Sequence, residues 1–212
     1  MGMRGAGAVL ALVLVGMAGG YVAADLLSDE PTVVRDIAPV PARDPSIPVD
    51  PKRPFARDID YPALQPGLEY QRHTLGDPPF VWAYRAPRGW RPTLESFQEI
   101  RWRPEDESEF GGFSLRVKLT NEHKSPAEMV EQKRAAMELG YDDFEVLHST
   151  EDLLSFRYRD PGADRLRFNT FRWFGSPGDS TTFEMSVVGR KVDRVGLADL
   201  LEQVSRGVAQ QP

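Results

Sequence analysis

Residues 113–141 read FSLRVKLTNEHKSPAEMVEQKRAAMELGY, an alternating segment followed directly by a helical one. In the first part, every second side chain is apolar, and a period of two places these side chains on one face of a strand. The apolar members are Leu115, Val117 and Leu119, and the polar positions between them include Arg116 and Lys118. The pattern predicts a strand with one buried face.

The second part carries the signals of a helix start. Ser125 stands at the N-cap, Pro126 at the first helical position and Glu128 three residues after the serine, which is a capping box. Apolar side chains at helical spacing follow at Met129, Val130, Ala136 and Met137. Gly140 is typical of a left-handed helix end. We expect this helix to pack on the apolar face of the preceding strand.

Further strands are predicted on both sides of this unit. Apolar and aromatic runs lie at residues 80–86 and 94–103 before it, and at 144–149, 153–159, 165–174 and 181–189 after it. Within 94–103, Phe97 and Trp102 have opposite parity, so one strand there requires either a bulge or two partly covered faces. The connections DPGAD and GSPGD are short and rich in turn residues, which favours antiparallel pairing.

A second helix is predicted at the C-terminal end. Asp193 can cap it, and five apolar side chains follow at helical spacing: Leu197, Leu200, Leu201, Val204 and Val208. The predicted order is three strands, helix, four strands, helix. This order indicates an α+β domain in which two helices pack on an antiparallel sheet.

The composition excludes several classes of function. The chain has no cysteine, so disulfides, thiolate catalysis and lipid attachment through cysteine are excluded. A net charge of −6 argues against general binding to nucleic acid. The histidines His73, His123 and His148 are isolated and show no ligand spacing, so we predict no metal site and no cofactor.

The N-terminus carries a membrane-targeting signal. Residues 5–24 are uncharged and long enough to cross a bilayer as a helix. Arg4 precedes the run and acidic residues follow it, so the positive-inside rule predicts an extracytoplasmic C-terminal body. We assign residues 1–27 to a signal anchor that makes the protein single-pass. The alternative is a secreted protein, released by cleavage after Ala24.

A spacer separates this segment from the domain. Prolines recur from Pro31 to Pro66 with charged residues between them, which favours extended conformations. We assign residues 28–66 to a Pro-rich linker and residues 67–212 to one α+β extracytoplasmic domain.

The order of the elements and the turn Ala-Pro-Arg-Gly-Trp at residues 86–90 resemble the PsbP-like fold. That group includes extrinsic photosystem proteins and actinobacterial LpqN-type envelope lipoproteins. The resemblance implies a non-catalytic accessory domain at an envelope membrane. LpqN-type proteins are expected to be anchored through a lipidated cysteine, which this chain lacks, so the apolar run would have to replace it.

Basic residues on the predicted strands form the main candidate surface. They occur as pairs two residues apart, so each pair projects from one side of its strand: Arg116 and Lys118, Arg157 and Arg159, and Arg165 and Arg167. We expect strand pairing to collect them on the sheet face away from the helices, as a platform for an anionic ligand or an envelope protein. In the alternative, this is an ordinary polar face that Glu95, Glu99 and Glu184 neutralise.

These observations favour a non-catalytic binding or assembly module of the cell envelope. Two alternatives remain open. One is an envelope hydrolase that uses a carboxylate such as Glu122 with His123, which requires a cleft converging on both. The other is a carrier of an apolar ligand, which requires a cavity between sheet and helices.

Overall fold

The computed structural model of the protein describes residues 53–78, 80–107, 111–175 and 180–211. The predicted membrane anchor at 1–27 and most of the predicted linker lie outside these residues. Within the described ranges, no helix combines the length and the apolar character that a membrane crossing requires.

A small sheet contains three antiparallel strands. They are β1 (Tyr70–Leu75), β2 (Trp82–Pro87) and the C-terminal β10 (Ala209–Gln210), and β2 lies in the middle. Trp82, Tyr84 and Ala86 of β2 are buried. The sequence patterns predict β2 but not β1 or β10.

A large antiparallel sheet contains the other seven strands. They are β3 (Trp90–Ser96), β4 (Glu99–Pro104), β5 (Ser114–Leu119), β6 (Glu145–Ser149), β7 (Leu153–Arg159), β8 (Leu166–Gly175) and β9 (Thr181–Gly189). Their spatial order is β3-β4-β5-β9-β8-β7-β6. The predicted strand β5 is therefore a central strand, paired with β4 and β9.

The predicted single strand over 94–103 is wrong. Residues 90–104 form a hairpin of β3 and β4, with the turn at Phe97 and Gln98. Phe97 is 81% exposed at this turn, whereas Trp102 is 3% exposed in the core. The opposite parity of these two residues therefore reflects a reversal of the chain and not a bulge within one strand.

Two helices pack on opposite faces of the large sheet. Helix α1 (Pro126–Gly140) contacts β7 and β8, and helix α2 (Arg194–Ser205) contacts β9 and β2. We call the face that carries Leu115 and Val117 the core face, because it packs against the small sheet and α2. The opposite face, which carries Arg116 and is partly covered by α1, is the outer face.

The structure corrects two expectations for α1. The helix does not cover the apolar face of β5, because α2 and the small sheet occupy that face; α1 packs instead on Phe156, Phe171 and Trp173 of the outer face. Its Ser125–Glu128 capping box is confirmed. Gly140, however, is helical and is followed by Tyr141 in an extended conformation, so no left-handed residue ends the helix.

The described part of the predicted linker lies against the domain. Leu64 is buried in the core, and its backbone N–H donates to the Asp193 carboxylate at 3.0 Å. The Arg190 guanidinium donates to the backbone carbonyls of Ile59, Tyr61 and Pro62. We call residues 59–64 the anchored segment and residues 53–58, which precede it, the lead segment.

Candidate functional site

A cleft of about 840 Å³ opens on the outer face of the large sheet, at the end where β4, β7 and β9 finish and β5 and β8 begin. Helix α1 leaves this end uncovered, since it packs on β7 and β8 farther along the strands. Four arginines contribute to the lining, together with Tyr158 and Glu107: Arg101, Arg103, Arg165 and Arg167.

Strand pairing explains how these arginines meet. Arg101 of β4 lies directly opposite Arg116 of β5, so Arg101 and Arg103 share the outer face with Arg116. Arg167 of β8 lies opposite Tyr158 of β7 and projects to the same face as Phe171. The sequence analysis did not predict the Arg101–Arg103 pair. These two arginines show the same two-residue spacing, within the run 94–103 that was predicted as one strand.

Carboxylates balance the cleft arginines unequally. Asp58 of the lead segment forms an ion pair with Arg167 at 2.5 Å, and Glu95 pairs with Arg101 at 3.3 Å. Arg103 has no carboxylate partner at ion-pair distance among the described residues, although its charge partly offsets the burial that raises the pKa of Glu107. Arg103 is therefore a cleft cation that can bind a carboxylate or phosphate group of a ligand.

Glu107 forms part of the cleft wall as a buried carboxylate. Its Oε1 accepts a hydrogen bond from the backbone N–H of Gly112, where a Cβ would stand only 2.2 Å from that oxygen. Its Oε2 is buried without a hydrogen-bond partner in the described part of the chain. Burial is the main cause that raises the pKa of Glu107 above its ordinary value.

Tyr158 supplies an aromatic wall beside the arginines. Its ring lies 4.4 Å from the ring of Tyr141 and 5.7 Å from that of Phe156. Burial raises the pKa of the Tyr158 hydroxyl, so the side chain is a neutral donor at physiological pH. The cleft thus offers guanidinium groups, a phenol and an aromatic surface, beside the carboxylates of Glu107 and Asp160.

The remaining predicted residues of the outer face belong to a different part of it. Arg116 forms ion pairs with Glu184 at 2.6 Å and Glu99 at 3.3 Å, and Glu184 also accepts a hydrogen bond from the Trp173 indole. Lys118 lies opposite Glu184 on β9. Arg116 therefore helps to neutralise a buried glutamate beneath α1, as the alternative interpretation of the basic residues expects.

The other predicted pair projects from the opposite face. Arg157 and Arg159 pair in register with Phe168 and Leu166, so they alternate with the outer-face residues Phe156 and Tyr158. Arg159 is 7% exposed and is bound by Asp143 and Asp164, and Arg157 pairs with Glu145 of β6. The structure thus divides the predicted single face: Arg116, Lys118, Arg165 and Arg167 lie on one side, Arg157 and Arg159 on the other.

The two residues suggested for hydrolysis, Glu122 and His123, lie outside the cleft. Glu122 pairs with Lys124, and the neighbouring His123 is an exposed loop residue with a φ of 50°. In the described ranges, no three His, Cys, Asp or Glu side chains form a cluster that could hold a metal ion.

A second cavity, of about 620 Å³, lies at the N-terminus of α1. Its lining includes Glu151 and Asp152 and contains no basic side chain. Of these two cavities, the arginine-lined cleft is therefore the one suited to an anionic ligand.

The fold and the cleft define the class of protein: a two-sheet α+β domain with a helix on each face of its large sheet and an arginine-lined cleft at one end. No family model matches the chain, and no curated protein matches it.

Solved structures of similar fold do match. Mog1p of Saccharomyces cerevisiae, described as a Ran-binding protein, is 13% identical, with a TM-score of 0.49 over 68% of this chain and 96% of that one. LpqN of Mycobacterium tuberculosis, described as involved in cell envelope biogenesis, is 15% identical, with a TM-score of 0.44 over 68% and 92%. A protein from Bacteroides thetaiotaomicron is 11% identical, with a TM-score of 0.39 over 62% and 45%.

The order of the elements and the turn at residues 86–90 predict a likeness to LpqN-type proteins, and LpqN is among these structures. At these identities and scores the likeness is one of fold alone.

Proposed function

We propose that the domain is a non-catalytic binding or assembly module that accepts an acidic segment of a partner protein in the arginine-lined cleft. The observation that carries this proposal is the convergence of Arg101, Arg103, Arg165 and Arg167 on one cleft of about 840 Å³. Guanidinium groups bind carboxylates through charge-assisted, often paired hydrogen bonds, which favours a ligand of that chemistry.

The core of the domain supports a binding module over a carrier. Aromatic side chains pack in the layer between the large sheet and the small sheet. The rings of Trp82 and Phe183 are 5.3 Å apart, and those of Tyr84 and Phe183 are 6.0 Å apart. An apolar ligand would need space in this layer, where interdigitated side chains already pack.

The position of Glu122 disfavours the hydrolase. A general base has to lie within hydrogen-bond reach of its partner and of the substrate. The suggested base Glu122 is exposed and already pairs with Lys124, outside the cleft.

The location of the domain is part of the proposal. The apolar run at 5–24 and the charges that flank it support a domain held outside the cytoplasm on a single-pass anchor, with secretion after cleavage at Ala24 as the alternative. The partner is then a protein of the cell envelope.

The test is capture of the partner in intact cells. Full-length protein is crosslinked and purified beside an Arg103→Ser/Arg165→Ser variant, which removes two cleft cations. The matched control is Arg88→Ser/Arg206→Ser, which removes two exposed cations outside the cleft.

We expect the unaltered protein and the Arg88→Ser/Arg206→Ser control to capture the same partner, and capture by the folded cleft variant to fall at least about ten-fold. Equal capture by all three proteins would contradict the proposal.

A further inference from the structure

The lead segment, residues 53–58, passes over the β7–β8 hairpin beside the cleft and contacts two arginines on different faces of the sheet. Phe55 lies against Arg159, with the guanidinium carbon 4.0 Å from the ring centroid. Three residues later, Asp58 forms an ion pair with Arg167 at 2.5 Å.

Backbone contacts tie the same segment to the hairpin. The N–H of Ala56 donates to the carbonyl of Asp164 at 2.8 Å, and the guanidinium group of Arg159 donates to the backbone carbonyl of Arg53 at 2.7 Å. Main-chain hydrogen bonds with side-chain anchors at intervals are the means by which a domain binds an extended peptide. The lead segment is therefore held in the manner of a peptide ligand.

The lead segment is held less firmly than the anchored segment. Phe55 is 39% exposed, and the Asp58 side chain is about as accessible. Arg190, by contrast, is 1% exposed and binds three carbonyls of residues 59–62, while Leu64 lies in the core. The lead segment can therefore leave its arginines while the anchored segment stays in place.

We infer that the lead segment is an internal competitor at the binding site, and that the partner carries an aromatic residue three positions before an acidic one, as Phe55 and Asp58 do. The partner segment replaces the lead segment on Arg159 and Arg167 and extends into the cleft toward Arg103. That the competing ligand is a partner protein rests on the proposed function, whereas the competition rests on the contacts of Phe55 with Arg159 and of Asp58 with Arg167.

Displacement would have a mechanical consequence. The six residues that leave the hairpin become free chain, which spans up to about 20 Å when fully extended. Binding of the partner and release of the chain are then coupled, because both require the same two arginines.

The test uses a fluorescent peptide with the sequence of residues 53–60, RPFARDID, added to the full-length protein. Binding is measured for the unaltered protein, for a Phe55→Ala/Asp58→Asn variant and for an Asp60→Asn control. Asp60 is exposed and takes no part in the contacts of the lead segment, so the control makes the same carboxylate-to-amide change outside them.

We expect the peptide to bind the double variant about ten-fold more tightly than the other two proteins, because the tethered competitor is present at a high effective concentration. A peptide with its own Phe and Asp replaced should lose this binding. Equal affinity for all three proteins, or binding to none of them, would overturn the inference. Thermal unfolding verifies the fold, and Asp58→Asn alone replaces the double variant if the latter is unfolded.

The outcome is separable from that of the capture experiment. The peptide measurement needs no natural partner, so it can succeed when the cleft variant still captures the partner, in which case only the proposed function fails. In the reverse case, partner capture depends on the cleft but the peptide does not bind the double variant, and only the competition is refuted.

Discussion

Arg190 and Asp193 form a buried ion pair that joins the anchored segment to the domain. Two hydrogen bonds from the guanidinium reach the Asp193 carboxylate at 2.8 Å, and they are the main cause that raises the pKa of Arg190. Asp193 also accepts a hydrogen bond from the backbone of Leu64. At the predicted N-cap position Asp193 makes no side-chain cap, because its carboxylate is used for these contacts.

Replacing Arg190 with Met should therefore be strongly destabilising. The change leaves the Asp193 carboxylate buried without its counter-charge and three backbone carbonyls without their donor. We expect the free energy of unfolding, measured with urea, to fall by about 3–5 kcal/mol. The exposed neighbour Lys191 provides the control, since Lys191→Met should change the free energy of unfolding by less than about 0.5 kcal/mol. A similar small effect of Arg190→Met would refute the structural role of the pair.

Glu107 makes stability depend on pH. Its pKa in the folded protein is raised above the ordinary value of 4.5, mainly by burial, so the folded state keeps this proton to higher pH than the unfolded state. The free energy of unfolding should consequently decline as pH rises from about 4.5 through the folded pKa. Urea unfolding across this range should show a smaller decline in Glu107→Gln, and an unchanged decline in the exposed control Glu105→Gln. An identical pH profile for Glu107→Gln and the unaltered protein would contradict the assignment.

At the scale of elements, the capping box fixes where α1 begins. The Ser125 hydroxyl accepts a hydrogen bond from the Glu128 backbone N–H, and the Glu128 carboxylate accepts one from the Ser125 N–H at 2.8 Å. Ser125→Ala should lower the free energy of unfolding by about 1 kcal/mol, whereas Ser125→Thr should preserve most of it, because a hydroxyl can still accept from the backbone and donate to the Glu128 carboxylate. Equal stability of the alanine and threonine variants would show that the box contributes nothing.

Local signals in the sequence predicted most of the elements. The strands β7 and β9 have their predicted bounds, and α1 begins at its predicted cap. The hairpin of β3 and β4 was missed because its turn, Phe97-Gln98, lacks the glycine, asparagine or proline that identifies turns. The two-residue strand β10 is too short to show an alternating pattern, and its pairing with β2 joins distant parts of the chain.

The candidate site was only partly predictable, because side-chain parity within one strand says nothing about the register between strands. The β7–β8 hairpin pairs Arg159 with Leu166, and this register separates Arg157 and Arg159 from Arg165 and Arg167. The position of α1 was equally inaccessible, since an apolar stripe on a helix does not identify which sheet face it covers.

For the molecule as a whole, the structure indicates that the folded unit includes residues that proline density assigns to the linker. A chain that begins at residue 67, the predicted domain boundary, lacks the buried Leu64 and the carbonyl partners of Arg190. We expect it to be less stable than a chain that begins at residue 53 by at least about 3 kcal/mol in urea unfolding. Equal stability of the two chains would support the predicted boundary between linker and domain at residue 66.

The central claim is that the arginine-lined cleft is the surface on which a partner binds, and photocrosslinking from single positions in intact cells tests it most directly. A photoreactive amino acid is placed at Ala163, which lines the cleft without contributing charge, or at Leu139 of α1, which is 90% exposed. We predict a crosslinked partner from position 163 that Arg103→Ser abolishes, and none of that partner from position 139. The same partner from both positions, or from position 139 alone, would contradict the account.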